Sequence, residues 1–227
     1  MTTFPRSPRI LRGSFSIYPD DSPGTQAQTI NFQYNPGEIR RTLAHRRPQQ
    51  QQGQNNTTPQ DARLVAGPPT ETISLSIELD AADQLEKPGD NRDTVESGLN
   101  LTLSALEMLM YPPTASYERI QQQAEQGRIT VEPGNVPLVL LNWGDSRIVP
   151  VLITSFTINE QEFDNKLNPI RAKVDLALQV LTYLDLTAGS SGIDAFVSYQ
   201  KEKERLANRF YGGGAPTQTH GLNTEGA

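Results

Sequence analysis

Between residues 170 and 184 the chain alternates apolar and polar side chains, with Ala172, Val174, Leu176, Leu178 and Val180 set against Arg171, Lys173, Asp175, Ala177 and Gln179. Alternation with period two places each set on its own face of a strand. The stretch is therefore predicted to be a β-strand with one face on a core and the other on solvent or a partner. It is the last of three long strands expected over 136–184. The first is Pro137-Leu138-Val139-Leu140-Leu141-Asn142-Trp143, broken at Gly144-Asp145-Ser146-Arg147; the second runs over 148–158, and a polar elbow over 159–168 leads into the third. Strands of this length exceed the usual five or six residues. A chain that spends its most regular sequence on long, one-sided strands builds a surface rather than a pocket.

Further strands are expected over 10–18 and 28–34, parted by the turn formers Pro19-Asp20-Asp21-Ser22-Pro23-Gly24. The second sets Ile30, Phe32 and Tyr34 against Thr29, Asn31 and Gln33, and stops at Asn35-Pro36-Gly37. Another strand is expected over 72–79, where Ile73, Leu75, Ile77 and Leu79 alternate with Thr72, Ser74, Ser76 and Glu78. Residues 44–69 are rich in Gln, Asn and Pro and offer little apolar surface to offset the entropy of ordering, which predicts a mobile insertion.

Residues 93–110 read as one helix. Val95, Leu99, Leu103, Leu106 and Met110 make a single stripe, Asp93 and Glu96 fit a capping box, and Pro112-Pro113 ends it. A short surface helix is expected over 117–127, inside a looped insertion of about 112–135. A second main helix is expected over 193–211, with Ile193, Phe196, Val197, Leu206 and Phe210 as apolar points and charges over 201–205. Its interrupted stripe suits lying on the sheet or on a partner. The expected division is a β domain over 1–188, a helix over 189–211 and a disordered tail over 212–227.

Composition narrows function by exclusion. Hydrophobic residues are 35% of 227, so part of the chain is expected to be unpacked. There is no cysteine, and the only histidines are His45 and His220, which removes thiol chemistry and a His/Cys zinc site. Neither histidine sits in a segment that promises a rigidly held base, and no glycine-rich phosphate loop is present. The acidic groups Asp80 with Asp83, and Glu160, Glu162 and Asp164, lack calcium-loop spacing and read as solvated turn charges. Arg40, Arg41, Arg46 and Arg47 read as solvated or as partners of an acidic neighbouring subunit. A net charge of −6 argues against nucleic acid. No apolar run is long enough to span a bilayer and no signal-peptide core follows Met1, so a cytoplasmic protein with no direct membrane insertion is expected. No catalytic machinery and no cofactor site is found.

Six short motifs lie in a telling order: Phe32-Gln33-Tyr34-Asn35-Pro36-Gly37-Glu38, then Leu75-Ser76-Ile77-Glu78-Leu79-Asp80, Tyr111-Pro112-Pro113 and Leu141-Asn142-Trp143-Gly144. Phe163-Asp164 and Leu167-Asn168-Pro169-Ile170-Arg171-Ala172 complete the series. Together they make the chain resemble the tube-domain adaptor proteins of contractile injection systems, phage-tail-like machines that fire an inner tube through a contracting sheath. The resemblance covers about residues 10–186. It implies a mainly β fold, a tail-tube-like antiparallel β-sandwich or half-barrel with one packed helix, followed here by a C-terminal helical extension. It also implies a ring, of six copies, joining a spike or hub protein to the inner tube protein and touching neighbouring baseplate proteins. In the family the domain is commonly followed by a LysM module; here the 193–211 helix stands in its place. One face of the long strands would line a polar lumen, which Asn31, Gln33, Ser74, Ser76, Lys173 and Gln179 suit.

Candidate interface residues are Phe32, Tyr34, Asn35, Pro36, Trp143, Phe163, Phe196 and Phe210. Trp143 reads either as a stacking platform or as core packing beside a turn glycine, and Tyr34-Asn35-Pro36-Gly37 on general grounds is strand-to-turn punctuation. The alternative function is a carbohydrate-binding β-sandwich using Trp143 or Tyr34.

Overall fold

A computed structural model describes residues 11–19, 27–47, 64–126 and 134–212. The glutamine-rich centre of the expected insertion, residues 127–133 of the second, the expected tail from 213 and His220 lie outside the described residues. Seven strands form one antiparallel sheet: β1 (Ser14–Tyr18), β2 (Gln28–Asn31), β3 (Ile39–Ala44), β4 (Thr70–Asp80), β5 (Leu138–Asn142), β6 (Ile148–Phe163) and β7 (Pro169–Val180). Their order is β2-β1-β5-β6-β7-β4-β3. The fold is mainly β with a C-terminal helix, as expected, and its described strands form one sheet rather than the two of a sandwich. β2 and β3 are the end strands, yet Gln33, just past β2, bonds to Asp80 at the end of β4, so the sheet curls toward its own far edge.

The alternation of β4 and β7 does what it predicted. Ile73, Leu75, Ile77 and Leu79 stand opposite Leu178, Leu176, Val174 and Ala172, and all eight are buried. β6 shares that face through Val149, Val151 and Ile153. A bulge between Ile153 and Ser155 then shifts the parity, so that Phe156 and Ile158 face Leu176 and Val174. One extra residue in a strand moves later side chains to the opposite face, and here it keeps the inward set apolar.

The expected 93–110 helix is two helices. α2 (Arg92–Ser97) stops at Gly98, whose φ is 57°, and α3 (Asn100–Glu107) follows. Asn91 rather than Asp93 stands at the N-cap, without a side-chain cap bond. Leu99, Leu103, Leu106 and Leu109 are buried against the sheet, whereas Val95 is exposed because the break rotates α2 out of the stripe, and Met110 is exposed past the end of α3. Before them, α1 (Ala82–Leu85) is a single turn, and α4 (Thr114–Glu125) buries nothing, as a surface helix should. β3 falls where no strand was expected: it is an edge strand with little apolar surface to mark it. The polar elbow is shorter than expected, since β6 continues to Phe163, and β7 ends at Val180 rather than 184. The last helix, α5 (Ser191–Gly212), packs on β6 and the start of β5.

Candidate subunit interface

The segment after β2 is pinned by two side-chain amides. Gln33 Nε2 donates to the Asp80 carbonyl at 2.6 Å, and the Asp80 N–H donates to Gln33 Oε1 at 2.9 Å. That pair of bonds reproduces what a neighbouring strand would offer Asp80. Two residues on, Asn35 Nδ2 donates to the Leu11 carbonyl at 2.8 Å and Asn35 Oδ1 accepts from the Gly13 N–H at 2.9 Å. Between these clamps Tyr34 stands 47% exposed. With Asn35 and Pro36 it borders a shallow cleft of about 200 Å³ that also meets Ser76, Glu78 and Lys173 on the outward face of β4 and β7.

Phe32 points the other way. It is 1% exposed, edge-on to Phe15 with ring centres 5.0 Å apart, and 6.5 Å from the half-buried Trp143. Gly13 lies between those rings: a β-carbon there would meet Phe32 and Trp143 atoms at 2.7 Å. Phe32 thus spends its surface on the core, and Trp143 packs on it with one side. Phe196 is also buried, edge-on to Tyr183. Of the eight candidates, Tyr34, Asn35, Phe163 and Phe210 are exposed, Pro36 and Trp143 partly so.

Phe163 stands at the base of the β6–β7 turn. Asp164 organises that turn, accepting from the N–H groups of Lys166 and Asn168 and from Asn168 Nδ2. Those bonds, the Asn168 amide first, hold the Asp164 carboxyl below its usual range. Leu167 follows with φ of 64° and is 80% exposed, an apolar side chain displayed at the tip. Beside the turn, Arg171 bridges Asp80 at 2.9 Å and Glu162 at 2.8 Å. The N–H of Ala82 and then Arg171 lower the Asp80 carboxyl. These acids are therefore ion-pair partners, and among the described residues no group of three or more His, Cys, Asp or Glu is placed to hold a metal. No described helix is long and apolar enough to cross a membrane.

Among the described residues three strand edges lie open, one of them the outer edge of β2, which pairs with β1 alone. β5 pairs with β6 only as far as Val151, while β7 pairs with β6 down to Phe163; from 152 to 163, β6 has a strand neighbour on one side only. β3 is paired with β4 alone.

At the other end of β4, Glu71 is 3% exposed and occupies the parity of Ile73 and Leu75. Its carboxylate accepts from Arg41 Nε of β3 at 2.7 Å, from Lys203 Nζ at 3.2 Å and from the Tyr199 hydroxyl at 3.3 Å. Arg41 also donates to the Tyr199 hydroxyl at 2.8 Å, and Lys203 Nζ lies 3.9 Å from the Tyr199 ring centre. Burial, then the Glu71 charge, raises the Tyr199 phenol. Arg41 and Arg46, expected to be solvated or to await a neighbour, are paired within the chain, Arg46 with Asp185 at 2.9 Å. Sequence reading passed over Glu71, Tyr199 and the role of Gln33 as a clamp. The signal for Glu71 was present: a lone acid on the apolar side of a strictly alternating strand must find a cation.

Against known proteins, the family described as contractile injection system tube protein matches residues 15–186, from β1 to just past β7. No curated protein matches the chain.

Proposed function

The chain belongs to the contractile injection system tube protein family, and on that premise we propose that it is an adaptor ring subunit, joining the spike complex to the inner tube. The family gives it a structural role in the injection machine; ring, position and neighbours are our reading. The observation that carries it is the far half of β6. A dozen residues of strand with an open edge would invite aggregation in an isolated protein, and a ring in which a neighbour's strand completes the sheet removes that liability. The proposed copy number is six, with spike or hub, inner tube and neighbouring baseplate proteins as the other contacts, and assembly in the cytoplasm.

In this reading the tube-like unit ends near residue 188 and α5 is an added element. Tyr34, Asn35, Pro36, Phe163 and the open side of Trp143 serve subunit or partner contacts, and Phe210 does so from α5. Phe32 and Phe196 act from behind, by fixing the surface that Trp143 and Tyr183 present. The role needs neither catalysis nor a cofactor.

A proline scan over 155–161 tests it, read by thermal melting and by native mass. Proline removes an N–H, and along a strand successive N–H groups point to opposite edges. Prolines at positions whose N–H faces β7 should destabilise the fold. Those in between should leave the melt in place and abolish the ring. A wild-type chain that stays monomeric and has no affinity for spike or tube proteins sinks the proposal.

A further inference from the structure

On α5, Gly192, Phe196, Tyr199, Lys203, Leu206 and Phe210 follow one another at steps of 4, 3, 4, 3 and 4, which puts all six on one helix face. The first four use that face within the chain. Gly192 comes so close to Leu138 of β5 and to Leu186 that a β-carbon would meet them at 3.2 and 2.9 Å. Phe196 and Tyr199 are buried in the core. Tyr199 and Lys203 then reach Glu71 of β4, and Tyr199 reaches Arg41 of β3. The helix therefore sets out beside β5, passes over β6 and arrives at the last strand of the sheet. Past Lys203 the face does not change character, but among the described residues nothing covers it: residues 204–212 are all exposed, Leu206 by 45% and Phe210 by 63%.

We infer that the distal part of α5 is a strap that crosses the β3 edge and lies on a second copy of this chain. Three observations select that occupant. The exposed stripe is continuous with the face that already packs on this sheet. It begins where side chains of α5 reach β3, which among the described residues has no outer neighbour. The carboxylate of Glu71 fixes the helix at that crossing, through partners from β3, β4 and α5 together. A copy whose sheet continues beyond β3 lies directly in the path of Leu206 and Phe210. The inference rests on the ring reading, and α5 lies outside the matched span of 15–186.

The test compares the full chain with the L206E/F210E double variant. Both side chains are exposed in the single chain, so melting and circular dichroism should be unchanged. The protein concentration needed for ring formation should rise by at least about tenfold, as loss of two buried apolar contacts requires. In the wild type, amide exchange over 204–212 should slow on assembly. Rings that form at the same concentration in the variant, with no slowing, overturn the strap and leave the ring standing. A variant that still forms rings but loses tube or spike protein assigns the stripe to another partner and also overturns it. A wild-type chain that never forms rings overturns both readings.

Discussion

The two halves of β6 share a backbone and little else. Up to Val151 the strand pairs with β5, meeting the end of β7 at Val151 and Leu181 at Pro150, and Val149, Pro150 and Val151 are buried in succession. Beyond Ile153 it has β7 alone; Phe156 and Ile158 are partly buried and the rest is exposed. The same division recurs in α5, whose first half is seated and whose second half is not. The fold is closed where these two elements bury their side chains and unfinished where they do not, and the unfinished parts carry Phe163 and Phe210 of the candidate contacts.

If that division is right, damage to the closed half should destroy the monomer. Val151→Asp sets an unpaired carboxylate between β5 and β7, at a cost of more than about 4 kcal/mol, and should yield no cooperative thermal unfolding. Glu71→Ala comes next. It strands Arg41 beside a buried gap and frees Lys203, costing about 3 kcal/mol, and exchange along α5 should quicken before the sheet responds. A uniform quickening of sheet and helix would mean that Glu71 is no crossing point. Gln33→Ala removes two hydrogen bonds to Asp80, a loss of about 1–2 kcal/mol, and should loosen 33–38 and the end of β4 in exchange measurements while β5 stays protected.

The smallest effect is expected at the turn. The Asp164 carboxyl is lowered in the fold, so its contribution is complete above the usual carboxylate pKa and is lost as pH falls through the lowered value. Melting temperature should therefore decline in acid, and the part of that decline that Asp164→Asn flattens is the turn's own. An Asp164→Asn chain with the full wild-type acid slope would show the turn to be uncoupled from stability.

Sequence legibility follows the same division. β4 and β7 were readable because burial on one face writes itself as alternation. The bulge was written too, in the change from Val149, Val151 and Ile153 to Phe156 and Ile158. The end of β6 and all of β3 were not, since an edge strand with solvent on its faces needs no apolar marks. Gly98 hid inside a stripe whose spacing continued across it. Phe32 passed for a contact residue because what buries it, Gly13 and Trp143, comes from distant parts of the chain. The family motifs pointed to the assembly, but which aromatic faces outward is settled by packing.

The most direct measurement is cryo-electron microscopy of intact particles, with mass spectrometry to establish that this chain is in them. The account predicts a ring of this chain at the spike–tube junction, with the 152–163 edge of each copy paired to the next. Particles that contain the chain away from the tube axis, or that lack it, would contradict the adaptor role.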